Sequence, residues 1–241
     1  MDLGIRDRTA AVAAATSGLG FASALALAAE GVTVVICGRD RSRLDDAVAR
    51  IGHGAVGVVA DVGSPAGAAG FVADAIGAVG PLDILVTNAG GPPAGNFAQT
   101  DVDAYPPALD LNLMSVVAMC KAAVPAMQQR GWGRVVAITS LSVRQPMAQL
   151  ILSNTARAGA TAFLKTLARE VAADGVTVNG VQPGLHLTAR LQEVYGDTLP
   201  DRPLGDPADF GRVVAFLCSK TARFTTGVQL HVDGGDYQGL Q

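Results

Sequence analysis

Thr9-Ala10-Ala11-Val12-Ala13-Ala14-Ala15-Thr16-Ser17-Gly18-Leu19-Gly20 is the stretch on which the reading of this chain turns. A short apolar run breaks into a glycine-bearing turn, and an alanine- and leucine-rich segment with helical spacing follows from Gly18. A turn of this kind brings backbone N–H groups and the positive end of a helix to one point, which suits a pyrophosphate. Taken alone it has a second reading, in which Gly18 and Gly20 simply let a helix pack tightly on a strand. The surrounding sequence decides between the two.

Outward from the turn, short β-branched runs alternate with longer alanine- and leucine-rich segments, the pattern of βαβ crossovers onto a parallel sheet covered on both faces. The pattern predicts strands over 9–14, 33–37, 56–60, 84–87, 135–138, 176–181 and 228–232. It predicts helices over 18–29, 42–51, 66–79, 104–130, 153–173, 188–195 and 207–219. The alternation runs through all 241 residues without a linker or repeat, so residues 1–241 read as one domain. The fold class is α/β, a doubly wound parallel sheet of about seven strands with helices on both faces, the Rossmann type. Residues 184–207, rich in Leu, Pro, Asp and Gly, are long for a compact connection and read as a lid or substrate loop.

Composition narrows the partners. A net charge of −3 gives no basic footprint for a phosphate backbone, so nucleic acid is not expected and a small molecule is. Hydrophobic residues are 49% and charged residues only 16%, which points to surface covered by other subunits and so to a homo-oligomer. Cys37, Cys120 and Cys218 are odd in number and have no metal-ligand spacing; Cys37 and Cys218 lie in apolar runs and read as buried structural thiols in a reducing compartment. With no secretion-type apolar leader and no uninterrupted membrane-length run, the expectation is a cytoplasmic protein without a membrane partner. No HExxH or clustered histidine occurs, His53 and His231 stand alone, and no metal site is expected.

Further motifs follow in order: Asp61-Val62 after the third strand, Thr87-Asn88-Ala89-Gly90 after the fourth, Asn112, Ile138-Thr139-Ser140, Pro183-Gly184 with Thr188, and Val232-Asp233-Gly234-Gly235. On these, the chain resembles the short-chain dehydrogenase/reductase superfamily from end to end, in particular its 3-oxoacyl carrier-protein reductases. The resemblance implies a nicotinamide dinucleotide held by Ala14, Thr16, Ser17, Gly18, Leu19, Gly20, Arg39, Asp61, Val62, Asn88, Ala89, Gly90, Arg157, Pro183, Gly184 and Thr188. Arg39 follows Gly38 where an NAD-preferring member places a carboxylate, so the resemblance implies NADP(H) over NAD(H), with a solvated arginine beside Arg41 and Arg43 as the other reading. Ala13-Ala14 replaces the family's Thr-Gly. An alanine tolerates positive φ poorly, so Ala14 fits if its backbone stays at negative φ, and the exchange implies cofactor binding with weak affinity.

The family's proton chemistry uses a tyrosine, a lysine four residues later, a serine thirteen residues before the tyrosine, and an asparagine on the preceding helix. Ser140 and Asn112 match; the other two positions hold Ser153 and Arg157, which share a helix face. A phenol of pKa near 10 can be tuned by a neighbouring cation, whereas an aliphatic alcohol is far too weak an acid. A seryl oxygen also stops roughly 4 Å short of a tyrosyl one. Arg157 can hold ribose hydroxyls or a carboxylate but does not readily release a proton. His186, Tyr195, Ser142 and water held by Asn112 are the substitute donors to consider, with a structural role as the other reading of His186. Asp101, Asp103 and Tyr105 read as a helix cap and solvated charge.

Three functions stay open: an oxidoreductase with a substituted proton relay acting on a carbonyl, alcohol or C=C group of a small or carrier-bound substrate; an enzyme of non-redox chemistry such as dehydration, cyclisation or isomerisation; and a non-catalytic nucleotide-binding or scaffolding subunit. Family members associate through helices corresponding to 104–130 and 153–173, which implies a homotetramer, then a dimer.

Overall fold

Apolar runs too short for helices and without polar alternation must become strands covered on both sides. The computed structural model, which describes residues 2–189, 191–192 and 203–240, has this arrangement. One parallel sheet runs in the order β3-β2-β1-β4-β5-β6-β7. Its strands are β1 (Thr9–Val12), β2 (Thr33–Gly38), β3 (Val56–Val59), β4 (Ile84–Thr87), β5 (Gly133–Ile138), β6 (Val176–Pro183) and β7 (Gln229–Val232). The helices are α1 (Gly18–Ala29), α2 (Arg41–Ile51), α3 (Pro65–Val79), α4 (Tyr105–Leu109), α5 (Ser115–Gln129), α6 (Ile151–Val171) and α7 (Pro207–Leu217).

Alternate strand residues feed two cores. Ala11, Val35 and Leu85 pack with Phe71, Met119 and Leu164 under α3, α5 and α6. Ala10, Val34 and Val86 pack with Leu27, Leu44 and Phe210 under α1, α2 and α7. The chain changes face between β3 and α3, so strand order reverses between β1 and β4 and a crevice opens beyond their C-terminal ends. Helix starts are fixed by side chains: Asp40 Oδ1 accepts from Arg43 N at 2.9 Å, Ser64 Oγ from Gly67 N at 3.2 Å and Asp206 Oδ1 from Ala208 N at 2.8 Å. At Gly211 a Cβ would lie 2.3 Å from the Ala22 carbonyl oxygen, so the absent side chain is what lets α7 lie against α1.

Some boundaries differ from those the pattern predicts. β1 stops at Val12, because Ala14 leaves extended backbone with φ of 47°. β6 runs on to Pro183, paired with Val232 of β7. The helix expected over 104–130 is divided: Asp110–Met114 forms a wide π turn between α4 and α5. The helix expected from 153 begins at Ile151. Of the segment 188–195, Thr188 starts a helical turn by accepting from Leu191 N through its Oγ1, while Tyr195 lies outside the described residues. One helical run among the described residues, Val102–Gln129, is long and apolar enough to cross a membrane, but its Met119, Cys120, Ala123, Val124 and Met127 are core residues.

The three thiols are free and buried, and burial pushes each from the usual 9.0 up to about 12. Because the folded value is the higher one, the native state keeps protons that the unfolded chain releases above pH 9, so stability falls as pH rises from 9 towards 12. A thiol reagent at pH 8 is expected to label none of the cysteines until denaturant is added. Melting temperature is expected to decline steadily above pH 9. Fast native labelling of Cys37 would contradict its placement.

Candidate active site

The C-terminal ends of the parallel strands share one edge, so residues just beyond them meet there whatever their separation in sequence. After β1, Ala13 N bonds Val86 O of β4 and Ala15 N bonds Cys37 O of β2, both at 3.0 Å. Between them Ala14 N meets Cys37 Sγ at 3.3 Å. The condition for an unstrained alanine, negative φ, is not met: at 47° Ala14 is left-handed, which costs an alanine about 1–2 kcal/mol. Asn88 Nδ2, from the end of β4, donates to Ala13 O at 3.2 Å and Ala14 O at 3.1 Å.

The turn then reaches α1. Ser17 occupies the N-cap without a side-chain hydrogen bond, so the first N–H groups of α1 are left to an outside acceptor. Gly18 has φ of 60°, and the Thr188 methyl lies 3.8 Å from where its Cβ would be, placing the root of the expected lid over the turn. Leu19 packs partly buried against the α1-side core, and Gly20 has room for no side chain beside Asn88 and Ala14. The Thr16 methyl fills the space above Gly38, where a Cβ would come within 2.4 Å. Arg39 is exposed, with no hydrogen bond or ion pair among the described residues. Beyond β3, Asp61 is exposed and accepts from Gly63 N at 2.9 Å, while Val62 is buried. Ala89 and Gly90 follow Asn88. Pro183-Gly184 closes the far side, where Gly184 N donates to Val232 O and a Cβ on Gly184 would meet Asp233 Cα at 2.7 Å.

The second half of the site gathers at the end of β5. Ser140 Oγ accepts from Ser142 N at 3.1 Å and lies 2.9 Å from Ser142 Oγ. Arg157 Nη1 donates to Ile138 O at 3.1 Å and Thr139 O at 3.3 Å, so its guanidinium is drawn to the same strand end. Ser153 lies one turn earlier on α6; it is buried, and its hydroxyl makes no hydrogen bond among the described residues. Asn112 belongs to the π turn, where Nδ2 donates to Gly90 O at 3.0 Å and the buried Oδ1 has no protein partner among the described residues. An acceptor buried in this state calls for a donor such as water.

His186 sits elsewhere. Its ring meets Phe210 edge-on at 5.2 Å, its Nδ1 is 3.2 Å from Gly184 O, and its Cδ2 would be 2.6 Å from a Cβ on Gly205. Phe210 belongs to the core under α7, whereas Ser153 and Arg157 are on α6, so the structure brings Ser140, Arg157 and Asn112 to the crevice and places His186 in the opposite layer. Cys37 is the participant that sequence reasoning assigned only to the core. Nothing in the spacing of residues 14 and 37 shows a sulfur meeting a backbone N–H across two strands.

Strand ends of this topology, an uncapped helix start and glycines that cannot bear a Cβ define a Rossmann-type nucleotide-binding architecture. The family model described as Enoyl-(Acyl carrier protein) reductase matches residues 13–236, and the chain belongs to the short-chain dehydrogenase/reductase superfamily, a class of oxidoreductases. Human dehydrogenase/reductase SDR family member 4 is 34% identical over 244 residues, covering 96% of this chain and 88% of the relative. The structure is similar to that of L-sorbose reductase from Gluconobacter frateurii complexed with NADPH and L-sorbose, with 29% identity, a TM-score of 0.90 and full coverage of both chains (100%). It is also similar to an apo short-chain oxidoreductase from Pseudomonas aeruginosa PAO1 containing an atypical catalytic center, with 28% identity, a TM-score of 0.86, and coverage of 97% and 98%.

Proposed function

We propose that this chain is an NADP(H)-dependent oxidoreductase, resembling the 3-oxoacyl carrier-protein reductases, that acts on a carbonyl, alcohol or C=C group in a small or carrier-bound substrate without a phenolic proton donor. The observation that carries the reading is Arg157, anchored on the Ile138 and Thr139 carbonyls beside Ser140, at the edge of the crevice beyond the strand ends. The turn from Ala14 to Gly20, with Thr16, Ser17 and Leu19, would hold the pyrophosphate; Asp61, Val62, Asn88, Ala89 and Gly90 would border the adenosine half, and Pro183, Gly184 and Thr188 the nicotinamide half. The exposed Arg39 is free to bind a 2′-phosphate. The NADPH in the L-sorbose reductase complex supports this choice. The cofactor would supply or accept hydride.

Ser140 would hold the substrate oxygen. Ser153 cannot act as the acid, and Arg157 keeps its proton, so a proton must come through water, and the open Oδ1 of Asn112 is a place to hold one. The strain at Ala14 supports weak cofactor affinity. A second reading, non-redox chemistry on the same scaffold, is favoured by the exchange of phenol for alcohol at Ser153. The name of the matched family model supports a carrier-bound substrate, and three buried free thiols support a cytoplasmic setting.

The oligomer would form on α5 and α6. A groove of about 330 Å³ between them is lined by Val124, Phe163 and Leu167, with Lys121 and Glu170 among its polar residues. Lys121 and Glu170 line this groove as opposite charges, a pair that a two-fold axis there would allow two copies to exchange, and the proposed building block is a homodimer within a homotetramer.

In a fluorescence titration, NADPH is expected to bind at least about tenfold tighter than NADH, and Arg39→Asp to reverse the order. Equal affinities would remove Arg39 from the cofactor site. The double replacement Ser153→Tyr with Arg157→Lys is expected to gain ketone reduction, read as loss of the reduced-nicotinamide absorbance, relative to its parent; no gain would show that the missing phenol is not what limits the site. Phe163→Asp is expected to shift the sedimentation coefficient to that of the monomer, and an unchanged value would move the interface elsewhere.

A further inference from the structure

The turn after β1 keeps a left-handed residue without a glycine, and three contacts converge on it. Ala14 N points to Cys37 Sγ at 3.3 Å, while its flanking peptides pair with the strands on either side. Asn88 Nδ2 takes both the Ala13 and the Ala14 carbonyls. Gly20 leaves the room this needs, since a Cβ there would come 2.7 Å from Asn88 Nδ2 and 2.9 Å from Ala14 O. A glycine turn reaches positive φ without help, whereas alanine reaches it only where its surroundings over-determine it. Cys37 is fully buried, and its protonated sulfur accepts the Ala14 N–H without adding a charge beneath bound phosphates.

We propose that Cys37 and Asn88 are positioning residues that clamp Ala14 in its left-handed conformation, so that dinucleotide affinity in this chain is set by the clamp rather than by a glycine. The proposal rests on the cofactor reading given above. The clamp acts on the backbone of Ala14 and, through it, on the N–H groups that lead into α1. Neither side chain needs to touch the cofactor. Removing the Cys37 acceptor leaves the part-buried Ala14 N–H without its sulfur partner, and removing Asn88 frees two carbonyls at once.

The test combines thermal melting with NADPH titration for Ala14→Gly, Asn88→Ala, their double variant, Cys37→Ala and Cys37→Ser. Ala14→Gly alone is expected to raise the melting temperature by about 2–4 °C, because the strain is removed. Asn88→Ala and Cys37→Ala are each expected to weaken NADPH roughly fivefold to tenfold. Cys37→Ser, which keeps an acceptor, is expected to bind within about twofold of the parent. In the double variant the Ala14→Gly change is expected to recover most of what Asn88→Ala loses, a non-additivity that a merely packing role for Asn88 would not produce. Strict additivity in both melting and affinity, or Cys37→Ala binding like the parent, overturns the clamp. If the parent binds neither NADPH nor NADH, the cofactor reading fails and the affinity half with it; the melting cycle still decides whether Ala14 and Asn88 are coupled.

Discussion

A parallel sheet covered on both faces requires its backbone N–H and C=O groups to be paired, and that constraint governs the rest of this molecule. Alternate residues of β1, β2 and β4 fill two separate cores, so the strands have no side chains to spare for chemistry. Chemistry is pushed to the strand ends, where the ladder stops and carbonyls and N–H groups become free. Arg157 shows the consequence directly: its guanidinium does not stand free in the crevice but holds the carbonyls of Ile138 and Thr139, where β5 gives out. The same logic operates at β1, where the Ala14 N–H leaves the ladder and finds a sulfur instead of a carbonyl.

The exchanges at 153 and 157 make physical sense as a pair. An ammonium is a compact charge suited to lowering the pKa of a neighbouring phenol, and with the phenol gone that task disappears. A guanidinium carries several donors, and one of its nitrogens, Nη1, meets the two strand-end carbonyls. Under the proposed function, position 157 would brace the end of the strand that leads to Ser140 instead of tuning an acid. The crevice, by contrast, keeps its glycine contacts with Asn88, Thr16 and Asp233.

The sheet and helix order was legible in the sequence because burial on both faces writes an unmistakable alternation of short apolar runs and alanine-rich segments. Ser140, Asn112, Ser153 and Arg157 could be placed on their elements for the same reason. What spacing could not show was backbone conformation and long-range side-chain contact. The positive φ of Ala14 was unreadable because alanine is the residue expected to avoid it, and only Asn88 and Cys37, distant in sequence, make it tenable. The π turn at Asp110–Met114 was hidden because one extra residue in a helical turn barely disturbs an apolar period. The layer occupied by His186 depends on Phe210, more than twenty residues on, and a loop histidine carries no local sign of that contact.

Under the proposed function, the hydroxyl pair at Ser140 and Ser142 bears on how a site without a phenol would face both sides of a redox reaction. The Ser142 backbone N–H donates to Ser140 Oγ, and the two hydroxyls, 2.9 Å apart, can share one hydrogen bond in either direction. When Ser140 donates to Ser142, its oxygen presents a lone pair to the crevice and can accept from an alcohol. When Ser142 donates to Ser140, the Ser140 hydroxyl is free to donate a hydrogen bond to a carbonyl oxygen. Ser142 is fully buried, so water does not compete for this exchange. Binding of the substrate oxygen can therefore be reversible without any group changing its charge. Under the proposed function, what remains to be supplied is the single proton that accompanies hydride, and the Asn112 Oδ1, which has no partner among the described residues while Nδ2 is held by Gly90 O beyond β4, would be the place to hold a water that carries it.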